Sequence, residues 1–291
     1  MVAKVTTVGD GGWTSAPTVL SGAHAETLER GDVLFLPNLG FEIADSELPL
    51  FSPAIAAASK NVSFDAASGR LGGTTLDGSA RTALRNLIDR FSRQAATFVR
   101  STLPEYGQAI EVGRTSFRPV EIAGRASSWR KDDTRLHIDS FPATPVHGRR
   151  ILRVFSNVNP QGRVRSWRIG EDFESAARRF ASLLRMPPPG LDLLLRLVRV
   201  TKSRRTPYDA LMLQLHDRMK ADTDYQAAVP QASIDFPAGS TWIAFTDQVS
   251  HAAMSGQYQL EQTFLVPIRA MLDERTAPLR ILERLTGRTL T

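Results

Sequence analysis

The chain has 291 residues, 42% hydrophobic and 23% charged, with a formal net charge of +6. That balance suits a globular protein long enough to bury a full core. It holds no cysteine, which excludes disulfides, thiolate catalysis and cysteine-ligated zinc or iron–sulfur centres together.

The N-terminal stretch "MVAKVTTVGDGGWTSAP" has no apolar core of signal-peptide length, and no window approaches the ~18 consecutive apolar residues of a membrane span. A cytoplasmic protein is expected. Residues 1–75 read as short strands and turns, of which "GDVLFLPNLGF" (Gly31 to Phe41) is the clearest strand. Residues 79–103 predict a helix: Leu84, Leu87, Ile88, Phe91, Ala95, Phe98 and Val99 recur at three- and four-residue spacing, and Pro104 stops the run. Past Gly107 the texture alternates. "QAIEVGRTSFRPVEI", "RRILRVFSNVNP", "ASIDFPAGSTWIAFTDQVSHAAMSG" and "YQLEQTFLVPI" read as strands. "GEDFESAARRFASLLRM", "GLDLLLRLVRVTKSRR" and "PYDALMLQLHDRMKAD" read as helices, the first two parted by "PPPG". Helices inserted between two groups of strands suit a mainly β protein with a closed or sandwiched antiparallel core and flanking helices. The expected layout is one domain: N-terminal flank 1–106, core 107–270 with a helical insertion about 171–222, and a C-terminal helix in 271–291.

"TRLHIDSFP" (Thr134 to Pro142) places His137 and Asp139 two apart in a run that reads as a strand. That spacing puts both on one face, with Leu136 and Ile138 on the other. His251, 112 residues past Asp139, follows the strand "STWIAF". Two neutral imidazoles and one carboxylate make the facial triad that suits non-heme Fe(II), leaving positions for oxygen and a chelating cosubstrate. The alternative is a core histidine beside a turn-capping aspartate. His24, His147 and His216 are weaker candidates, the last read as a surface histidine of a helix.

Charge is uneven. Between Arg114 and Arg205 lie 20 Lys and Arg against 8 Asp and Glu, a local excess of +12, and the rest of the chain is net −6. An anionic partner or a solvated arginine face would each account for this.

At these residues the chain resembles the Fe(II)- and 2-oxoglutarate-dependent oxygenases. "LHIDSFPATPVHGRRILRVFSNVNPQG" and "SHAAMSGQYQLEQTF" look like the 3-deoxy-D-manno-oct-2-ulosonic acid (Kdo) hydroxylase family. The resemblance implies a double-stranded β-helix (jelly-roll, cupin-like) core, Fe(II) held by His137, Asp139 and His251, and 2-oxoglutarate and O2 as co-reactants. It implies hydroxylation of carbon 3 of a Kdo sugar in a lipid A precursor, with succinate and CO2 as co-products. Many relatives carry a cation about ten residues past the distal histidine, where this chain reads Leu260-Glu261-Gln262-Thr263. The cosubstrate clamp is therefore expected on the strand after the His-x-Asp turn, where Arg149, Ile151, Arg153, Phe155 and Asn157 share a face. Arg153 is the first choice and Arg150 the fallback, with Gln262 or Thr263 giving a neutral hydrogen bond. Arg149, Arg163, Arg165, Arg168, Lys202, Arg204 and Arg205 are expected to meet the anionic substrate.

In "GLDLLLRLVRVTKSRR" a leucine stripe lies beside Arg196, Arg199 and Lys202, which suits either a peripheral membrane contact at the inner membrane or packing on the barrel. The tail "APLRILERLTGRTL" repeats the pattern more weakly. No motif supports nucleic acid, and no protein partner is inferred. The alternatives are a same-mechanism oxygenase on another anionic sugar or lipid, and a metal- or sugar-binding β-barrel without redox chemistry.

Overall fold

Amphipathic spacing and turn chemistry set the elements of a computed structural model, which describes residues 2–9, 12–13, 22–57 and 61–291. The strands are β1 (Val5–Thr7), β2 (Val33–Leu36), β3 (Val62–Asp65), β4 (Arg70–Gly72), β5 (Glu111–Arg118), β6 (Arg150–Asn157), β7 (Arg165–Ile169), β8 (Ala232–Phe236), β9 (Thr241–Phe245), β10 (His251–Ser255) and β11 (Gln259–Val266). The helices are α1 (Gly22–Glu29), α2 (Gly78–Thr102), α3 (Phe173–Phe180), α4 (Leu191–Leu197), α5 (Pro207–Ala221), α6 (Thr223–Ala228) and α7 (Pro278–Thr286). A sheet in the order β1-β2-β9-β6-β11-β5-β3-β4 faces a smaller one in the order β10-β7-β8. Among the described residues only β1 and β2 pair in parallel. This is the sandwich expected of the jelly roll.

The period-two alternation of the central strands assigns each side chain to a face. On β6, Leu152 and Val154 point outward into the core that α2 closes with Leu84, Leu87, Phe91 and Phe98. Phe155 points inward, joining Trp167, Phe236 and Trp242 between the two sheets. Trp242 stacks on Phe236 with centroids 4.0 Å apart. A third core joins Leu136 and Ile138 to α3, α5 and α7. The expected helix over 79–103 is present, and two short strands flank "PAG", β8 in the smaller sheet and β9 in the larger.

Four readings change. "TRLHIDSFP" is no regular strand: His137 makes one isolated antiparallel bridge, to His251. "GRVRSWRIG", from which Arg163, Arg165 and Arg168 were expected to meet the substrate, holds β7, because its alternating Arg165, Trp167 and Ile169 bury one face. The helix expected in "GLDLLLRLVRVTKSRR" stops at Leu197, where Arg199 turns left-handed at φ 59°. The tail does not offer its apolar face outward, since α7 buries Leu279, Ile281 and Leu282. The reading of residues 1–75 falls partly on 1, 10–11, 14–21 and 58–60, outside the described residues. Among the described residues no helix is long and apolar enough to cross a membrane.

Candidate metal centre and the arginine-lined cavity beside it

His137 and His251 are each other's backbone partner. The His137 amide donates to the His251 carbonyl at 3.0 Å, and the His251 amide returns a bond at 2.9 Å. Two residues on, the Asp139 amide donates to the Thr246 carbonyl at 2.7 Å. The free edge of the His-x-Asp segment is closed by a side chain acting as a strand. Gln226, on α6, accepts from the Leu136 amide at 2.8 Å and donates to its carbonyl at 2.9 Å.

One ligand atom from each of His137, Asp139 and His251 lies within 4.8 Å of the others. The Nδ1 atoms of His137 and His251 sit 2.8 Å from the carbonyls of Arg135 and Val249. A carbonyl only accepts, so both Nδ1 atoms carry protons and both Nε2 lone pairs are left to face the centre. Burial, and for His137 also the neighbouring His251, lowers both imidazole pKa values, so both rings are neutral at pH 7. Burial acts to raise the Asp139 carboxyl, but Arg153 and the two imidazoles outweigh it and hold it below the usual carboxylate range. The trio is thus in the protonation state a divalent cation requires.

The centre opens onto a cavity of about 450 Å³ between the sheets. Three arginines from three strands reach it: Arg118 (β5), Arg153 (β6) and Arg165 (β7). Arg153 Nη1 lies 3.2 Å from Asp139 and 3.1 Å from Glu261. Arg118 grips the other Glu261 oxygen with Nε at 3.0 Å and Nη2 at 2.7 Å. Arg165 pairs with no acid; its Nη1 donates to the Gly256 carbonyl at 2.7 Å. Gly256 sits at φ 108°, and a Cβ there would meet the Arg165 side chain at 2.8 Å. Burial and the neighbouring Arg118 pull the Arg165 pKa down to about 9, which still leaves it charged at neutral pH. Trp167 stacks on His251, centroids 5.1 Å apart and planes inclined 22°.

Several polar atoms around this cavity are buried with no protein partner: Nε of Arg153, Nε of Arg165, Nε1 of Trp167 and Oε1 of Gln259. Orphaned buried donors are costly and rare. The three arginines of the lining are matched in number by Asp133, Asp139 and Glu261, but three unpaired donors fit a small anion. A larger groove of about 810 Å³ lies near β1 and the C-terminal segment, away from the trio.

The other expected residues divide by strand face. Arg150 points to the opposite side of β6, where it is fully buried against Asp247 at 2.8 Å, so the fallback choice is wrong by one residue. Asn157 spends its amide on the carbonyls of Arg163 and Phe236, both 2.9 Å away. Gln262 faces away from the cavity and pairs with Thr115 at 2.6 Å. Thr263, also buried, does not line the cavity. Arg149 pairs with Glu111, Arg163 is exposed, and Arg168 donates to the Thr134 carbonyl at 2.7 Å. Lys202 and Arg204 are exposed, and Arg205 donates to the carbonyl of Pro142 at the cavity rim. Arg118, Glu261 and Gln259 were not selected from sequence, although period-two alternation on β5 and β11 would have placed them. His216 is no surface histidine: its ring packs edge-on against His137 at 5.3 Å.

Residues 13–289 match the family described as 3-deoxy-D-manno-oct-2-ulosonic acid (Kdo) hydroxylase. The chain belongs to the Kdo hydroxylase family. The resemblance drawn from the two sequence blocks is thereby borne out. Among solved structures the chain is similar to the Kdo hydroxylase KdoO, a non-heme Fe(II) α-ketoglutarate-dependent dioxygenase, in its apo form. The identity is 43%, the TM-score 0.93, and the match covers 99% of this chain and 97% of that one. The KdoO complex with α-ketoglutarate and Fe(III) matches with the same identity, TM-score and coverage. The complex with cobalt(II) matches equally, over 98% of this chain and 97% of that one. No curated protein matches.

Proposed function

We propose that this chain, as one catalytic domain, hydroxylates carbon 3 of a Kdo sugar in the lipid A/lipopolysaccharide inner core. One O2 and one 2-oxoglutarate are consumed; one oxygen atom enters the C–H bond and the other enters succinate, with loss of CO2. The reaction is placed at the cytoplasmic side of the inner membrane, where a lipid-anchored precursor would be met.

The enzyme is an Fe(II)- and 2-oxoglutarate-dependent dioxygenase. In our reading His137 Nε2, Asp139 and His251 Nε2 hold the iron, and Arg118, Arg153 and Arg165 receive the carboxylates of 2-oxoglutarate. The observation that carries this is the pairing of two neutral, preoriented imidazoles and one ionised carboxylate with a cavity whose arginines keep unpaired donors. Bound iron with 2-oxoglutarate and O2 supplies the oxidising power to replace an unactivated C–H by C–OH. The chain's own residues do the rest. Arg135 and Val249 carbonyls fix the imidazole tautomers. Arg153 orients Asp139. The Trp167 ring shields one face of His251 from water.

Anaerobic titration with Fe(II) and then 2-oxoglutarate should give a weak charge-transfer band near ~500–530 nm that His137→Ala removes. Iron binding without the band would point to a metal site of another kind. Iron-dependent succinate release should require a Kdo-bearing substrate; release with a different anionic glycolipid and none with Kdo would move the substrate, not the mechanism.

A further inference from the structure

The segment from Leu191 to Arg205 carries a surface that the proposed chemistry leaves unused. Leu193, Leu194, Leu197, Val198 and Val200 are between 52% and 76% exposed, and α4 buries none of its residues. Half of the large apolar side chains exposed among the described residues fall within these eight positions. Scattered exposure needs no explanation, but a contiguous patch does. A seven-residue helix that buries nothing has little intrinsic stability, so its leucines favour a covered state.

The cover is indicated by charge. Between Arg185 and Arg205 the chain carries Arg185, Arg196, Arg199, Lys202, Arg204 and Arg205 against the single acid Asp192. Arg204 is paired with Asp192, while the exposed Arg196 and Arg199 make no ion pair among the described residues. A second copy would press two such positive surfaces together across a symmetric contact, which like-charge repulsion disfavours. Exposed leucines with arginines interleaved match a bilayer with anionic headgroups. The segment is also tied to the cavity rim. The Lys202 amide donates to the Ala143 carbonyl at 2.9 Å and Arg205 to the Pro142 carbonyl at 2.6 Å, and Pro142 lines the cavity beside the metal ligands.

We infer that Leu191–Arg205 docks on an anionic membrane surface, its leucines entering the headgroup boundary and its arginines meeting lipid phosphates. This holds the cavity mouth against the layer that anchors the substrate, and it rests on the reading that the Kdo sugar is lipid-linked.

The test is flotation of the full chain with phosphatidylcholine vesicles, plain or with about one third phosphatidylglycerol. Wild type should float with the anionic vesicles. Binding should weaken about tenfold or more at about 1 M salt, where the screening length is about 3 Å. Leu194→Asp with Leu197→Asp should abolish flotation; Arg196→Glu with Arg199→Glu should weaken it about tenfold or more. Both variants should keep wild-type turnover of a deacylated, water-soluble Kdo oligosaccharide and lose it on vesicle-embedded Kdo lipid. Wild type that stays unbound, or variants that float as well as it does, overturn the inference. So does a wild-type dimer in sedimentation that the leucine variant dissolves. Intact vesicle binding with no succinate from either Kdo substrate would instead overturn the substrate reading and leave the docking standing.

Discussion

Glu261 is a buried acid in a cavity suited to acids. It bridges Arg118 and Arg153, and through Arg153 it touches the charge of Asp139. Removing one member of such a buried network costs on the order of 3 kcal/mol, since the partners keep their charge without compensation. Glu261→Gln should therefore lower the unfolding free energy of the metal-free protein by about that much. The freed arginines should then gain more from a dianion, so 2-oxoglutarate should raise the melting temperature of the variant more than that of wild type. An equal rise in both would mean that Glu261 does not hold the arginines the cosubstrate uses. The histidines give a pH prediction. Their folded pKa values lie below the unfolded value of about 6.5. The stability this contributes is present above about pH 6.5 and is lost as pH falls below it, by up to ~1.4 kcal/mol per pH unit for each ring. Metal-free protein denatured at pH 7.5 and at 5.5 should show this loss, and His137→Gln should lessen it. At this scale the clustering of His137, Asp139 and His251 was legible, because His-x-Asp and a later histidine between strands carry their own chemistry. Arg153 could be told from Arg150 only by parity along β6. Arg165 was read as a substrate contact, since nothing in "GRVRSWRIG" announces which of its arginines turns inward.

The element that aims the metal ligands is completed from outside. Leu136 has its strand edge satisfied by the Gln226 amide rather than by a neighbouring strand. Gln226→Ala should cost about 2 kcal/mol, since it strands a backbone donor and acceptor in a buried place. It should also weaken Fe(II) binding in a metal titration more than Gln231→Ala does. Gly256 holds a comparable position on the opposite wall. Gly256→Ala should push Arg165 out of place, because its backbone is left-handed and the Cβ would collide; the expected reading is a rise of about tenfold in KM for 2-oxoglutarate. Regular alternation made β6, β9 and β11 readable, and 3.6-residue spacing made α2 so. What escaped were pieces whose form depends on distant partners: β7 needs β8 and β10, and the His137 run needs His251.

Across the whole molecule, the excess of cations between Arg114 and Arg205 divides into two uses. Arg118, Arg153 and Arg165 are buried or nearly so around the cavity, while Arg196 on α4 and Arg199 just past its end lie outside. Summed charge suits an anionic partner but could not separate interior arginines from exterior ones, because both sets occupy the same stretch of chain. The overall architecture was more legible than the local boundaries, since the order of strands and helical insertion limits how a sandwich can close. The mutual backbone bridge of His137 and His251 has a further implication for biosynthesis. Asp139 and His251 stand 112 residues apart, and β10 and β11 are the last strands made. A ribosome that has delivered the His-x-Asp turn has delivered a chelator with two arms. The third arm arrives only when the C-terminal strands seat themselves and the bridge forms. Iron loading must therefore follow closure of the sandwich, and a pulse of Fe(II) given to chains stalled before Gly256 should leave them with no tightly held metal.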